Sequence, residues 1–164
     1  MKITLNPYDL QSIEKAYKDV QKYKRWLKSK EQELLKRLSM YGATKVSLGF
    51  ARAIYGPEIA DIHVRVEIQD NVAKIIAEGK DVCFIEFGAG IRYGNGYLGD
   101  KPDGLKGIGE YGKGKGKNPK GWWFTGSDGT GKHTYGNPPS MSMYNAYVEL
   151  GEIMTDIARE VFKS

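Results

Sequence analysis

The chain has 164 residues, 40% hydrophobic and 12% aromatic, a composition typical of a globular protein that buries its own core. No apolar run approaches about 20 residues, and the N-terminus lacks the apolar core of a signal peptide, so we expect no transmembrane helix and no membrane partner. One cysteine, Cys83, and two distant histidines form no plausible metal set, and we expect no cofactor and synthesis in a reducing cytoplasm.

The net charge of +5 is unevenly distributed along the chain. Residues 7–41 carry nine basic and five acidic side chains, and residues 88–140 carry eight and four. Residues 42–87 and 141–164 each have about two more acids than bases. This polarity indicates either complementary surfaces that meet in an oligomer or an anionic partner.

The first predicted element is a helix over residues 7–41, with Asn6 as its N-cap and Gly42 as its stop. Its apolar side chains recur at steps of three and four residues, or at multiples of that pattern, at Leu10, Ile13, Tyr17, Val20, Leu27, Leu34, Leu38 and Tyr41. Lys24 and Glu31 interrupt this stripe. We therefore expect the middle of the helix to face solvent or a partner.

Residues 43–88 are predicted to form an antiparallel β-meander. The expected strands cover 43–55, 62–69, 72–78 and 82–88, with short turns at Gly56-Pro57, Asp70-Asn71 and 79–81. The sheet would therefore have about four strands.

Within the last of these strands Glu86 is the only acid in an apolar run, directly before Phe87 and Gly88. A buried carboxylate is costly unless it is paired or hydrogen-bonded. We expect backbone N–H groups of the following glycine-rich segment, or a nearby basic side chain, to hold Glu86.

Residues 88–140 contain 16 of the 21 glycines and seven large aromatic side chains. A loop of this length is either functional or ordered by a partner, and its aromatic content is unlike that of a flexible linker. We expect residues 88–90 and 122–139 to dock on the subunit's own sheet, and residues 95–120 to order on assembly.

The last predicted element is a helix over residues 140–163, with Ser140 as its N-cap and a continuous apolar stripe that packs on the sheet. The whole chain, 1–164, is therefore predicted to be a single α+β domain. Its antiparallel sheet is flanked by the two helices and carries the long glycine-rich loop.

Two phosphate-loop patterns occur in the glycine-rich segment, and both lack the required context. Residues 107–112 have the spacing of a dinucleotide fingerprint, without a preceding strand or a following helix. Residues 126–132 match seven positions of a P-loop, but His133 replaces the metal-binding Ser or Thr. The abundance of glycine accounts for both.

The segment allows a second reading, as a binding site for single-stranded nucleic acid. Four lysines, at 113, 115, 117 and 120, alternate with glycine or lie beside Trp122 and Trp123. Catalysis has little support in the sequence, because neither His63 nor His133 has an obvious nucleophile and orienting acid nearby in sequence. We expect no enzymatic activity.

Three stretches carry a family resemblance, in the order 84–90 (Phe-Ile-Glu-Phe-Gly-Ala-Gly), 117–123 (Lys-Asn-Pro-Lys-Gly-Trp-Trp) and 134–139 (Thr-Tyr-Gly-Asn-Pro-Pro). With a helix before and after them, they resemble the tail-completion, or neck, proteins of long-tailed bacteriophages and prophages. Ala89 stands where many members have Thr. Ten residues are candidates for interface or structural roles: Glu86, Phe87, Gly88, Gly90, Trp122, Trp123, Tyr135, Pro138, Lys24 and Glu31.

The resemblance implies a structural subunit of the virion, assembled in the bacterial host cytoplasm. Such subunits form rings, often hexameric, between the head connector and the tail. The implied partners are further copies of the chain, head-closure or connector proteins, and tail terminator or tail tube proteins. DNA would at most pass through the channel, and no catalysis is implied. The alternative is a basic nucleic-acid-binding module that uses the Lys/Gly/Trp segment.

Overall fold

The computed structural model describes residues 3–53, 62–79, 81–90, 118–126 and 128–163. The elements are α1 (Leu10–Arg52), β1 (His63–Gln69), β2 (Val72–Glu78), α2 (Val82–Phe87), β3 (Trp122–Thr125), β4 (Gly131–Thr134) and α3 (Ser142–Lys163). The α+β class and the two long terminal helices agree with the prediction. The strands of the described residues form two separate antiparallel sheets of two strands each, not one sheet of about four.

Helix α1 begins three residues later than predicted. Asp9 has extended backbone angles, and its side chain accepts a hydrogen bond from the Gln11 N–H, so Asp9 is the N-cap. Asn6 instead accepts a hydrogen bond from the Tyr8 N–H and forms a turn before the helix.

Helix α1 also continues through the predicted stop at Gly42 and ends at Arg52, so the strand predicted from residue 43 is wrong. Gly42, Val46 and Phe50 follow one another at helical spacing and are all buried, whereas Leu48 lies on the other face and is exposed. Tertiary packing explains the glycine, because a Cβ on Gly42 would lie only 2.7 Å from Cδ1 of Leu150. Residues 54–61, which complete the predicted strand and its turn, lie outside the described residues.

Strands β1 and β2 confirm the middle of the predicted meander. They pair in register from His63 with Glu78 to Gln69 with Val72. Asp70 and Asn71 make the connecting turn with φ of 49° and 64°, the left-handed geometry that suits a two-residue hairpin.

The predicted strand over residues 82–88 is instead a helix, α2, of six residues. An apolar run this short fits a buried strand and a buried helix equally well by pattern. In the helix, Ile85 and Glu86 point inward. The predicted meander over 43–88 thus reduces to β1 and β2 within the described residues.

Strands β3 and β4 form a hairpin inside the segment predicted to be an extended loop, with Trp123 opposite His133 and Phe124 opposite Lys132. Of the P-loop-like residues, 126 and 128–130 lie between the two strands, and 131–132 begin β4. Asp128 accepts hydrogen bonds there from the N–H and hydroxyl of Thr130. The dinucleotide-like residues 107–112 and most of the predicted partner-ordered stretch, 95–120, lie outside the described residues.

Helix α3 packs on α1 and not mainly on a sheet, contrary to the prediction. The two helices run antiparallel, because Gly49 approaches Ser142 near one end and Trp26 contacts Phe162 near the other. Strands β1 and β2 also pack on α1. The buried core between these elements consists of Val46, Phe50, Ile85 and Ala146, surrounded by Ala53, Ile62, Val64, Ile75, Ala77, Val82 and Met143.

Candidate functional site

Glu86 joins α2 to the start of α3. Its side chain is 3% exposed, and its two carboxylate oxygens accept hydrogen bonds from the N–H groups of Met143 at 2.9 Å and Tyr144 at 3.1 Å. The first N–H groups of a helix lack partners within the helix and attract negative charge. Glu86 therefore caps α3 from a distant part of the chain.

Among the described residues, the N–H donors to Glu86 belong to the first turn of α3, which the sequence prediction did not name. Ser140, the predicted N-cap, exchanges a hydrogen bond with the Ser142 hydroxyl at 2.9 Å, and its own N–H donates to the carbonyl of Ile85 at 2.8 Å. The carboxylate of Glu86 takes the capping role because α2 brings it to the end of α3.

Beside this cap, residues 88–90 pair with residues 136–137. Ala89 and Asn137 exchange two backbone hydrogen bonds of 2.9 Å, and the Asn137 side-chain amide donates to the carbonyl of Phe84 at 2.7 Å. We call this paired region, with the Glu86 cap, the joint. It links the end of α2, the segment before α3, and α3 itself.

The joint has no room for side chains at its glycines. Gly88 has φ of +76°, and a Cβ there would lie 2.8 Å from the Asn137 carbonyl oxygen. Gly90 has φ of +83°, and its Cβ would lie 2.6 Å from the Tyr135 carbonyl oxygen. Glycine is required at both positions by backbone angle and by space. The Glu-Phe-Gly-x-Gly sequence is thus explained by local structure.

The structure brings several of the predicted candidates together at the joint. Glu86 and the two glycines form it, and Phe87 is half-buried between them. Trp122 is half-buried beside Gly90, with its Cζ3 atom 3.3 Å from the position of an added Cβ. Pro138 is exposed next to Asn137.

Trp123 lies on β3, and Tyr135 directly follows β4. The ring of His133 lies between them, 5.3 Å from Trp123 and 4.8 Å from Tyr135, both in edge-on contact. We call these three side chains the aromatic ladder. Trp123 is 66% exposed, so a large apolar surface faces solvent. The sequence analysis named Trp123 and Tyr135 as candidates and considered His133 only for the P-loop match and for catalysis; alternation along a strand would have placed its ring beside theirs.

The last two candidates, Lys24 and Glu31, are far along α1 from the joint. Both are exposed, in agreement with the prediction for the middle of this helix.

A polar cluster holds α1 to α3 beyond the joint. The Tyr41 hydroxyl donates to Glu149 at 2.5 Å, and Lys45 forms an ion pair with the same carboxylate at 2.5 Å. Lys45, followed by Tyr41, lowers the pKa of Glu149 below its ordinary value, and Glu149 raises the pKa of Lys45. A cavity of about 640 Å³ opens beside this cluster, lined also by Arg52, Ser140 and Asn145.

Within the described ranges, no three His, Cys, Asp or Glu side chains are placed to hold a metal ion. Every buried side-chain nitrogen or oxygen in the same ranges has a hydrogen-bond partner. The joint can therefore fix the relative positions of α2, α3 and the hairpin, while the aromatic ladder and the exposed part of α1 offer surfaces for contact.

Comparisons with known proteins do not assign the chain to a family. No protein-family model matches it, and no curated protein or solved structure is significantly similar. In the described part of the chain, no helix combines the length and apolar character needed to cross a membrane.

Proposed function

We propose that the chain is a structural subunit of the neck of a long-tailed bacteriophage or prophage. It would assemble into a ring that joins the head connector to the tail and would be part of the virion, after assembly in the bacterial host cytoplasm. Its partners would be further copies of itself, head-closure or connector proteins, and tail terminator or tail tube proteins. This role requires no catalysis and no cofactor, and DNA would only pass through the channel.

The observation that carries this proposal is the convergence of the resembling stretches at the joint. Residues 84–90 and 134–139 are far apart in sequence, yet they meet through the backbone pairing of Ala89 with Asn137 and through the Asn137 side-chain amide, which donates to the Phe84 carbonyl. Trp122, near the end of the second stretch (117–123), lies beside Gly90. The residues that resemble neck proteins therefore have one shared physical role, which is to build a rigid subunit.

A ring subunit also needs surfaces that contact its neighbours. Among the described residues, large apolar side chains are exposed along the first part of α1, on the aromatic ladder and on the outer face of α3, as well as at single positions elsewhere. Exposed apolar surface of this kind is typical of interaction sites. Basic and acidic side chains are concentrated in different segments, which favours contact between unlike surfaces.

The proposal is tested by measuring the mass of the purified full-length chain by sedimentation and native mass spectrometry, over a range of concentrations and without DNA. We expect a closed oligomer of defined stoichiometry, visible as a ring by negative-stain electron microscopy. A chain that remains monomeric at every concentration, and also when mixed with connector or tail tube proteins, would contradict the proposal.

Single-stranded nucleic-acid binding remains the second candidate, favoured by the aromatic ladder. Exposed aromatic rings beside basic side chains stack on bases, and Lys120 and Lys132 lie near this hairpin. Quenching of tryptophan fluorescence by oligonucleotides tests this candidate. Nanomolar affinity at physiological salt, with a steep salt dependence and loss in Trp123→Ala, would favour it over the neck role.

A further inference from the structure

The first part of α1, residues 10–25, extends beyond the end of α3, and we call it the arm. The last turn of α3 reaches Trp26, where the ring of Phe162 makes an edge-on contact at 6.0 Å. At 1.5 Å per residue the arm continues for about 24 Å past that contact. Because α1 is one uninterrupted helix, the arm cannot fold back onto its own α3.

The arm presents an apolar stripe to its surroundings. Leu10, Ile13, Tyr17 and Val20 recur at steps of three and four residues, and all four are exposed, Tyr17 by 65%. Only Ala16 is buried in this part of the helix. Helices in proteins owe most of their stability to packing of an apolar face. The arm therefore has the sequence of a packed helix and lacks a packing partner among the described elements.

The outer face of α3 offers a matching surface. Tyr147, Gly151 and Met154 follow one another at helical spacing, and the two large side chains are 75% and 50% exposed. Glycine is a poor helix former, so a glycine within a helix calls for a reason. In α1 the reason is close packing, because Leu150 leaves no room for a Cβ at Gly42 and Ser142 leaves none at Gly49.

Gly151 differs from those two glycines. A Cβ added at Gly151 would meet no atom within 4 Å. No contact with the described part of its own chain therefore requires glycine at this position, whereas close approach of a second molecule would.

Charge selects between the possible partners of the arm. The arm carries five basic and two acidic side chains, whereas α3 carries two basic and four acidic ones. Two arms side by side would repel each other, and an arm beside α3 is attracted.

We propose that the arm of one subunit docks on the outer face of α3 of a second copy, with its apolar stripe over Gly151. This inference deepens the proposed ring and rests on it. Because the two surfaces differ, each subunit gives one arm and receives another. A contact of this kind closes into a ring when the rotation between subunits permits closure.

Two variants of the full-length chain test the contact from its two sides. Tyr17→Ser removes an exposed ring from the arm, and Gln11→Ser, an exposed polar position about 120° around the same helix, is its control. Gly151→Leu fills the open space on α3, and Arg159→Leu, elsewhere on the exposed surface of α3, is its control. We expect each test variant to need roughly ten- to a hundredfold more protein to assemble, with both controls like the parent chain.

Mixing the two test variants shows whether the arm of one subunit contacts α3 of another. Tyr17→Ser retains an intact α3 and Gly151→Leu retains an intact arm, so together they should form a 1:1 pair that does not grow into a ring. If Gly151→Leu alone assembles like the parent, the arm does not use this face. If Tyr17→Ser lowers the thermal stability of the monomer, the arm packs within its own chain. Either result overturns the inference.

These outcomes separate the contact from the ring itself. If the parent forms a ring and both variants do so equally well, the ring stands and the arm contact is wrong. If the parent never assembles, both the ring and the arm contact are wrong.

Discussion

The two parts of α1 have similar apolar patterns and very different surroundings. In residues 26–52, side chains such as Val46 and Phe50 are almost completely buried against α3, α2 and the β1–β2 hairpin. In residues 10–25, the corresponding positions, such as Leu10 and Tyr17, are exposed. Apolar residues at steps of three and four therefore show that a helix has an apolar face, but they do not show which molecule covers that face.

Among the substitutions that test this contrast between the two parts of α1, Phe50→Ala should have the largest effect on stability. The side chain of Phe50 is 2% exposed and belongs to the central core. Phe50→Ala should lower the free energy of unfolding by about 3–5 kcal/mol, because it removes buried apolar surface and leaves a cavity. Urea unfolding of the monomer measures this loss. A loss below about 1 kcal/mol would mean that the second part of α1 is not a packed core element.

The next effect is expected at Glu86, which fixes the start of α3 against the packed part of α1. Glu86→Ala should cost about 1–3 kcal/mol, because the N–H groups of Met143 and Tyr144 lose their acceptor in a buried place. Glu86→Gln keeps one acceptor oxygen and should cost less.

Glu31→Gln is the matched control for Glu86, since that side chain is exposed and its loss should change stability by less than about 0.5 kcal/mol. The same urea titrations serve for all three variants. Equal unfolding midpoints for Glu86→Ala and the control would rule out the cap.

Sequence patterns predicted the elements whose information is local. The alternation of apolar residues and the Asp70-Asn71 turn gave the β1–β2 hairpin, and the stripe of α3 gave that helix. The continuation of α1 past Gly42 was missed, because glycine is common just after the end of a helix, and the close packing that favours glycine here is not visible in the sequence. Leu150 and Ile75 supply that packing, and neither is near Gly42 in sequence.

At the joint, too, the sequence predicted local features but not the contacts between distant segments. Glu86 stood out in the sequence as a buried acid, and it is buried. Its donors in α3 could not be identified, because they follow it by more than 50 residues and are brought close by long-range contacts such as the pairing of Ala89 with Asn137. The β3–β4 hairpin was hidden by the glycines around it, since four-residue strands carry little periodicity.

A smaller effect is expected from pH, through the cluster of Tyr41, Lys45 and Glu149 that joins the packed part of α1 to α3. The pKa of Glu149 is held below its ordinary value of 4.5, mainly by Lys45. Its contribution to stability is therefore fully present above pH 4.5 and is lost as the pH falls through the lowered value. The raised pKa of Lys45 gives a contribution that is present below about pH 10.5 and is lost at higher pH.

Thermal unfolding of the parent and of Glu149→Gln between pH 2.5 and pH 7, roughly the range in which carboxylates titrate, measures this effect. The two melting temperatures should differ most near neutral pH and converge in acid. Since both groups are partly exposed, the difference should be small. A difference that grows as the pH falls would have the wrong sign for this ion pair.

The smallest effect is expected at Leu10, in the arm. Leu10→Ala removes a side chain as apolar as those of the core, but 79% of it is already in water in the single subunit. Its removal should therefore change the stability of the monomer by less than about 0.5 kcal/mol, against the several kcal/mol expected for Phe50→Ala in the same helix. Urea unfolding in dilute solution, where the chain is monomeric by sedimentation, makes this measurement. A loss above about 1 kcal/mol would show that the arm is packed within its own subunit, and the contrast between the two parts of α1 would disappear.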